Sequence, residues 1–167
     1  KIILKQTNLF VGHQYAILRN QFYKKKIKTR NVSRNFIFLS MGGTDPRYMT
    51  EKVLKILVKN NFLEKNPVIV LLNKNSSQIK IIKNKYRYFI KNKNIMIYSD
   101  VYDISKFMLK SFIGIGSGGV SALERCKMGL PSLVFQSARN QKHIINNMEK
   151  KKLLVKWKKL SQLEKLL

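Results

Sequence analysis

The sequence predicts an α/β protein, a parallel sheet with helices on both faces, and three observations predict it. From Asn35 onward, short β-rich apolar runs alternate with longer stretches of helical spacing, the signature of βα units. Two of those runs end in glycine-rich turns that lead into helical sequence. The chain has 167 residues, 44% of them hydrophobic, enough for one domain to enclose a core without disulfides or metals.

The elements follow in order. Residues 1–34 fit the alternation least and read as a connecting segment, with a possible strand at Phe10-Val11 and a turn at Gly12. Strands are expected at 36–40, 68–72, 95–98, 112–115 and 132–135. The first predicted helix, 50–59, carries Val53, Leu54, Ile56, Leu57 and Val58 on one face and closes at Asn60-Asn61. The second, 77–90, places Ile79, Ile82, Tyr86, Phe89 and Ile90 at three- and four-residue intervals. A short helix is expected at 103–109. Another at 121–128 stops at Gly129-Leu130-Pro131, where glycine closes the helix and proline prevents its continuation. A last run at 141–149 follows the fifth strand. The segment 151–167 alternates apolar and basic residues around Trp157 and is expected to form a basic amphipathic helix packed back on the domain. Residues 35–150 are thus the domain proper, half of a doubly wound protein.

Charge and composition exclude several classes. The longest uninterrupted apolar run, 68–72, is far short of the roughly 20 residues that span a bilayer, so no membrane insertion is expected. One cysteine, Cys126, allows no internal disulfide, and with His13 and His143 it cannot build a zinc cage; a reducing cytoplasm fits. No metal or cofactor is expected. Lys and Arg total 34 against 8 acids, a net charge of +26. Such a balance invites a nucleic-acid or anionic-lipid reading. Yet 27 Lys, 15 Asn and 18 Ile are the residues an AT-rich coding sequence overproduces, and no nucleic-acid-reading motif interleaves them. No specific nucleic acid is therefore expected, although the surface should draw in any anionic ligand. The chain begins at Lys1 and is expected to be a piece of a longer polypeptide.

Two turns carry the candidate chemistry. In Ile113-Gly114-Ile115-Gly116-Ser117-Gly118-Gly119-Val120-Ser121 a strand runs through glycines into a helix, where backbone N–H groups and the positive end of the helix dipole can hold a phosphate. The spacing of Gly114, Gly116 and Gly119 matches G-x-G-x-x-G, though after the fourth strand rather than the first, and a tight structural turn is the plain alternative. Glu124, one turn inside that helix, can accept hydrogen bonds from both hydroxyls of a ribose; alternatively it faces solvent and pairs with Arg125 or Lys127. The second turn, Ser40-Met41-Gly42-Gly43-Thr44-Asp45-Pro46, clears space with its glycines, while Asp45 is expected to cap the next helix. Turns at the carboxyl ends of parallel strands face one crevice, where open α/β sheets bind ligands. Arg139-Asn140-Gln141 follows the last strand at the same edge and offers amides, or a helix cap at Asn140. His13 and His143 are solitary, and Cys126 is expected in the core.

Gly12-His13-Gln14-Tyr15-Ala16-Ile17-Leu18-Arg19-Asn20-Gln21-Phe22, the two glycine turns through Cys126, Gly129-Leu130-Pro131-Ser132 and Asn140-Gln141 together resemble one family. It is the UDP-sugar hydrolases of bacterial pseudaminic acid biosynthesis, which cleave UDP-2,4-diacetamido-2,4,6-trideoxy-β-L-altropyranose to the free sugar and UDP. The resemblance runs over about residues 8–150, in order. More loosely the motifs resemble the nucleotide-binding domain of GT-B glycosyltransferases, which use a UDP-sugar donor. The resemblance implies the Rossmann-like C-terminal, UDP-binding half of a GT-B-like two-domain enzyme. It implies that Ser117, Gly118, Gly119 and Val120 hold the diphosphate, Glu124 the ribose, and Ile113 with its neighbours the uracil edge. Gly42, Gly43 and Thr44 would face the phosphates or sugar, Tyr15 and Arg19 would line the interdomain cleft, and Asn140 and Gln141 would approach the sugar. The family's water-activating histidine lies on a glycine-rich loop of the N-terminal domain, outside this sequence. His13 is not given that role, and the chain alone is expected to be inactive.

Overall fold

The structure is a computed structural model that describes residues 12, 15–24, 33–43 and 45–167. The expected strand at Phe10-Val11, His13 and Thr44 lie outside the described residues. Six strands form one all-parallel sheet: β1 (Phe36–Ser40), β2 (Val68–Leu71), β3 (Ile95–Tyr98), β4 (Ser111–Ser117), β5 (Ser132–Phe135) and β6 (Val155–Trp157). Their order is β3-β2-β1-β4-β5-β6, so the chain builds outward from β1 in one direction and then crosses back to build from β4 in the other. This is a doubly wound, Rossmann-like α/β fold.

Two-residue periodicity sorts each strand between two cores. In β1, Ile37 and Leu39 join one cluster and Phe38 the opposite one; in β5, Leu133 and Phe135 part from Val134 in the same way. Helices α2 (Met49–Lys59), α3 (Phe62–Lys65), α4 (Gln78–Lys85) and α9 (Leu160–Leu166) supply apolar side chains to the first face. Helices α1 (Gln21–Lys24), α6 (Ser105–Leu109), α7 (Val120–Lys127) and α8 (Lys142–Lys150) supply the other. Each large apolar side chain fully buried this way contributes about 1.5–3 kcal/mol. No helix among the described residues is long and apolar enough to cross a membrane.

The structure departs from expectation in three elements. The predicted helix 77–90 is broken at Tyr86 (φ −111°, ψ 28°) into α4 and α5 (Arg87–Lys91). Tyr86 is buried and its hydroxyl donates to Glu51 on α2 (3.0 Å), a tertiary contact that overrides helical spacing. The expected basic helix over 151–167 is instead a turn, the edge strand β6 and the two-turn α9. The alternation Val155-Lys156-Trp157-Lys158 has the period of a strand, with Val155 and Trp157 on one face and Trp157 buried against Phe135. The one-turn helix α3 follows directly on the Asn60-Asn61 stop, where the sequence pattern predicts no further helix. In the connecting segment, α1 places Phe22 in the core.

Candidate functional site

The strand order puts the carboxyl ends of β1 and β4 side by side at the point where the winding reverses. The register pairs Leu39 with Ile115 and Ser40 with Gly116, so the loops that leave the two strands are neighbours. Gly42 takes φ +97°, which favours glycine, and a Cβ there would lie 3.5 Å from Ser117 Oγ. Gly43 faces open space, with nothing within 4 Å of where its Cβ would be.

The helices after these loops begin differently. Ahead of α2, the buried Asp45 carboxylate accepts from the backbone N–H of Met49 (3.0 Å) and Thr50 (2.8 Å), the Thr50 hydroxyl (2.7 Å) and the Gln78 amide (3.0 Å). That helix start is satisfied from within the protein, and Asp45 caps it. Helix α7 starts after Gly119 and no side chain among the described residues caps it, so its positive end is left for solvent or a ligand. Gly118 is held against α8, where a Cβ would meet Ile145 Cδ1 at 2.2 Å.

Gly114 and Gly116 serve another purpose than the fingerprint spacing suggests. Both lie inside β4, and a Cβ at Gly114 would sit 2.7 Å from Arg125 Cδ, one at Gly116 2.8 Å from Arg125 Nη1 and 2.3 Å from the Ser40 carbonyl. They open a slot for the fully buried Arg125 side chain, which reaches back from α7 beneath the strand. Its Nη2 donates to the Ser117 carbonyl (2.8 Å) and its Nε to Ser132 Oγ (3.1 Å), while Nη1 is buried without a partner. Burial pushes the guanidinium down to about 10, with Cys126 and Glu124 opposing the shift, so it stays charged at neutral pH.

Glu124 is also buried, and it pairs with neither Arg125 nor Lys127. Arg19 forks onto it, Nε to Oε1 at 2.8 Å and Nη2 to Oε2 at 2.9 Å. The Glu124 side chain is 3% exposed and that of Arg19 49%. This bidentate pair ties the connecting segment to α7, with the Arg19 guanidinium also over the Phe22 ring at 5.3 Å.

The residues singled out in the sequence divide into those that share a cleft and those that do not. Gly42, Gly43, Ser117 and Gln141 line a cleft of about 330 Å³ with Arg47, Phe135 and Ser137. Gln141 Oε1 accepts from the Ser137 N–H and hydroxyl (3.0 Å each), which turns its Nε2 donor toward Gly119, 3.5 Å from where a Cβ would be. Gly118 is buried under the turn, Gly119 sits just before α7, and Val120, the first residue of that helix, is exposed. Asn140 is exposed in the 3-10 turn Arg139–Gln141, and α8 has no side-chain cap. Tyr15 is exposed on the connecting segment. Ile113 lies four residues before Ser117, about 13 Å along the strand, and lines a separate cavity with Cys126, Leu130 and Leu154. His143 is exposed on α8, and Cys126 is half-buried with its thiol toward the Leu153 carbonyl. Among the described residues no group of three or more His, Cys, Asp or Glu side chains could hold a metal ion.

Sequence reasoning did not select Arg47 or Arg125. Arg47 follows the capping turn and lies over the Phe135 ring (5.9 Å) at the cleft wall. For Arg125 the signal was present: glycines two apart in a strand clear one face of it, and a large side chain one turn into the next helix can fill the space.

No family model matches the chain. An uncharacterised protein of Methanocaldococcus jannaschii is 28% identical over 151 residues, 87% of this chain. The chain spans 31% of that relative's length.

Proposed function

We propose that this chain is the UDP-binding part of a UDP-sugar hydrolase, the C-terminal half of a GT-B-like two-domain enzyme that releases UDP and 2,4-diacetamido-2,4,6-trideoxy-L-altrose in pseudaminic acid biosynthesis. The observation that carries the nucleotide part is the uncapped start of α7, opening at the winding reversal beside the Gly42-Gly43 turn. A diphosphate is dianionic or more, and fixed N–H groups, a helix dipole and a strongly basic surface all favour it there. The hydrolase part rests on the motif resemblance.

In the reaction so proposed, water attacks the anomeric carbon and its proton passes to a base; the bond from C1 to the diphosphate oxygen breaks, and UDP departs with the electron pair. This chain stabilises negative charge growing on that oxygen, with donors aimed before the reaction begins. Glu124 takes the ribose hydroxyls once Arg19 swings from, or shares, its carboxylate. The base belongs to the partner domain of the same polypeptide. The test is calorimetric titration with UDP and with a random oligonucleotide at two salt concentrations. Saturable UDP binding that outlasts the oligonucleotide signal at the higher salt is the expected result; binding of the oligonucleotide alone, lost with salt, contradicts it.

A further inference from the structure

Arg125 is charged, fully buried and without an ionic partner among the described residues. Its sequence neighbour Glu124 is engaged by Arg19, and both bonds that Arg125 makes go to neutral oxygens, the Ser117 carbonyl and Ser132 Oγ. One guanidinium nitrogen, Nη1, has no hydrogen-bond partner among the described residues. A buried charge of this kind is costly, and apolar residues of similar volume usually serve a fold as well or better. The fold nevertheless makes room for it with two glycines inside a strand. Two hydrogen bonds to neutral oxygens and the field of the neighbouring Glu124 carboxylate offset part of that cost, and a bound anion at the turn would offset more.

The place of that anion follows from the bond to Ser117. Arg125 draws the Ser117 carbonyl inward, and because a trans peptide sets C=O and N–H on opposite sides, the N–H of Gly118 is turned away from the guanidinium. Ser117 itself lines the cleft. The buried cation thus sits behind the turn that leads into the uncapped α7, and its field adds to that of the helix end.

We propose that Arg125 is a positioning and electrostatic residue: a buried positive charge that fixes the peptide after Ser117 and holds a phosphate group on the turn of Ser117, Gly118 and Gly119 from behind, without touching it. This rests on the nucleotide reading above, and the experiment keeps the two separable. Wild type, Arg125→Lys and Arg125→Met are titrated with inorganic pyrophosphate, UDP and uridine, with circular dichroism to confirm the fold. Affinity for pyrophosphate and UDP should fall about tenfold or more in R125M, from loss of one charge at the effective dielectric of a protein site, and less in R125K. Uridine should bind the variants as it binds wild type, a difference that a purely structural role would not produce. Unchanged pyrophosphate affinity in R125M, an equal loss for uridine, or an R125K no better than R125M overturns the proposal. Should R125M not fold, wild type and R125K decide: pyrophosphate should raise the melting temperature of wild type more than that of R125K, each against an equal ionic strength of chloride, and equal rises or no rise refute the buried-charge claim. If UDP binds wild type but R125M is indifferent, only this inference fails; if wild type binds no UDP, the functional reading fails as well.

Discussion

At the scale of single residues, the pairing of Glu124 with Arg19 sets the terms for ligand binding. Both carboxylate oxygens are engaged by a guanidinium that is itself half exposed, so Arg19 can swing into solvent, but the buried carboxylate it leaves then needs other donors in its place. If ribose hydroxyls replace Arg19, then Glu124→Gln should weaken UDP binding by about 1–3 kcal/mol, because one acceptor becomes a donor. Unchanged affinity in calorimetry would remove Glu124 from the site. Arg19→Gln leaves a buried carboxylate short of its partner and should lower stability by about 1–3 kcal/mol in chemical denaturation, discounted for the exposed half of the pair. What sequence could tell at this scale depended on the residue. Glu124 stood out because acids are scarce in this chain, but its partner is 105 residues away in a segment without clear periodicity. Gly114 and Gly116 were legible as glycines and not by purpose, since a strand that admits a side chain and a loop that admits a phosphate use the same letters.

At the scale of elements, the sheet depends on close approaches that have no slack. A methyl group at Gly116 would stand 2.3 Å from the Ser40 carbonyl of the neighbouring strand, and backbone cannot yield as a side-chain tip can. Gly116→Ala should therefore destabilise the fold by at least about 1–3 kcal/mol, the cost of overpacking, and a melting temperature equal to wild type would contradict the packing described. Helices α2 and α4 are tied at Glu51. Burial alone would raise its carboxyl, but hydrogen bonds from Lys85 and Tyr86 outweigh this and hold it below the usual carboxylate range. A carboxyl lowered in the folded state adds stability above its ordinary value near 4.5 that is lost as pH falls through the lower folded value. Glu51→Gln should accordingly flatten the acid limb of the stability curve below about pH 4.5, and an unaltered limb would show that the pair is inert. Five strands were readable because buried parallel strands are short, continuous apolar runs. The break at Tyr86 was not, because a core tyrosine at helical spacing looks the same whether the helix continues or turns at it. The strand β6 was hidden by lysines, since Val155-Lys156-Trp157-Lys158 has the period of a strand but the composition of a basic helix.

For the whole molecule, the doubly wound order explains why glycine turns separated by more than seventy residues end in one crevice. Alternating elements announce parallel strands, but the side of β1 on which β4 pairs is settled by how crossovers pack, which no local pattern states. Net charge acts at this scale too. With a net charge of +26, UDP association should slow as salt rises, while the affinity of a pocket made of fixed N–H donors falls less steeply than that of an oligonucleotide. The chain alone should bind UDP without releasing sugar from the UDP-sugar, since no group placed in the cleft is assigned the base; measurable turnover would mean that the base lies here. The central claim is that the start of α7 receives the diphosphate. Backbone amide resonances of Gly118, Gly119, Val120 and Ser121, followed by NMR as UDP is added, test it most directly: the largest shifts should fall on these four and on Gly42 and Gly43, and shifts that spare them would contradict it.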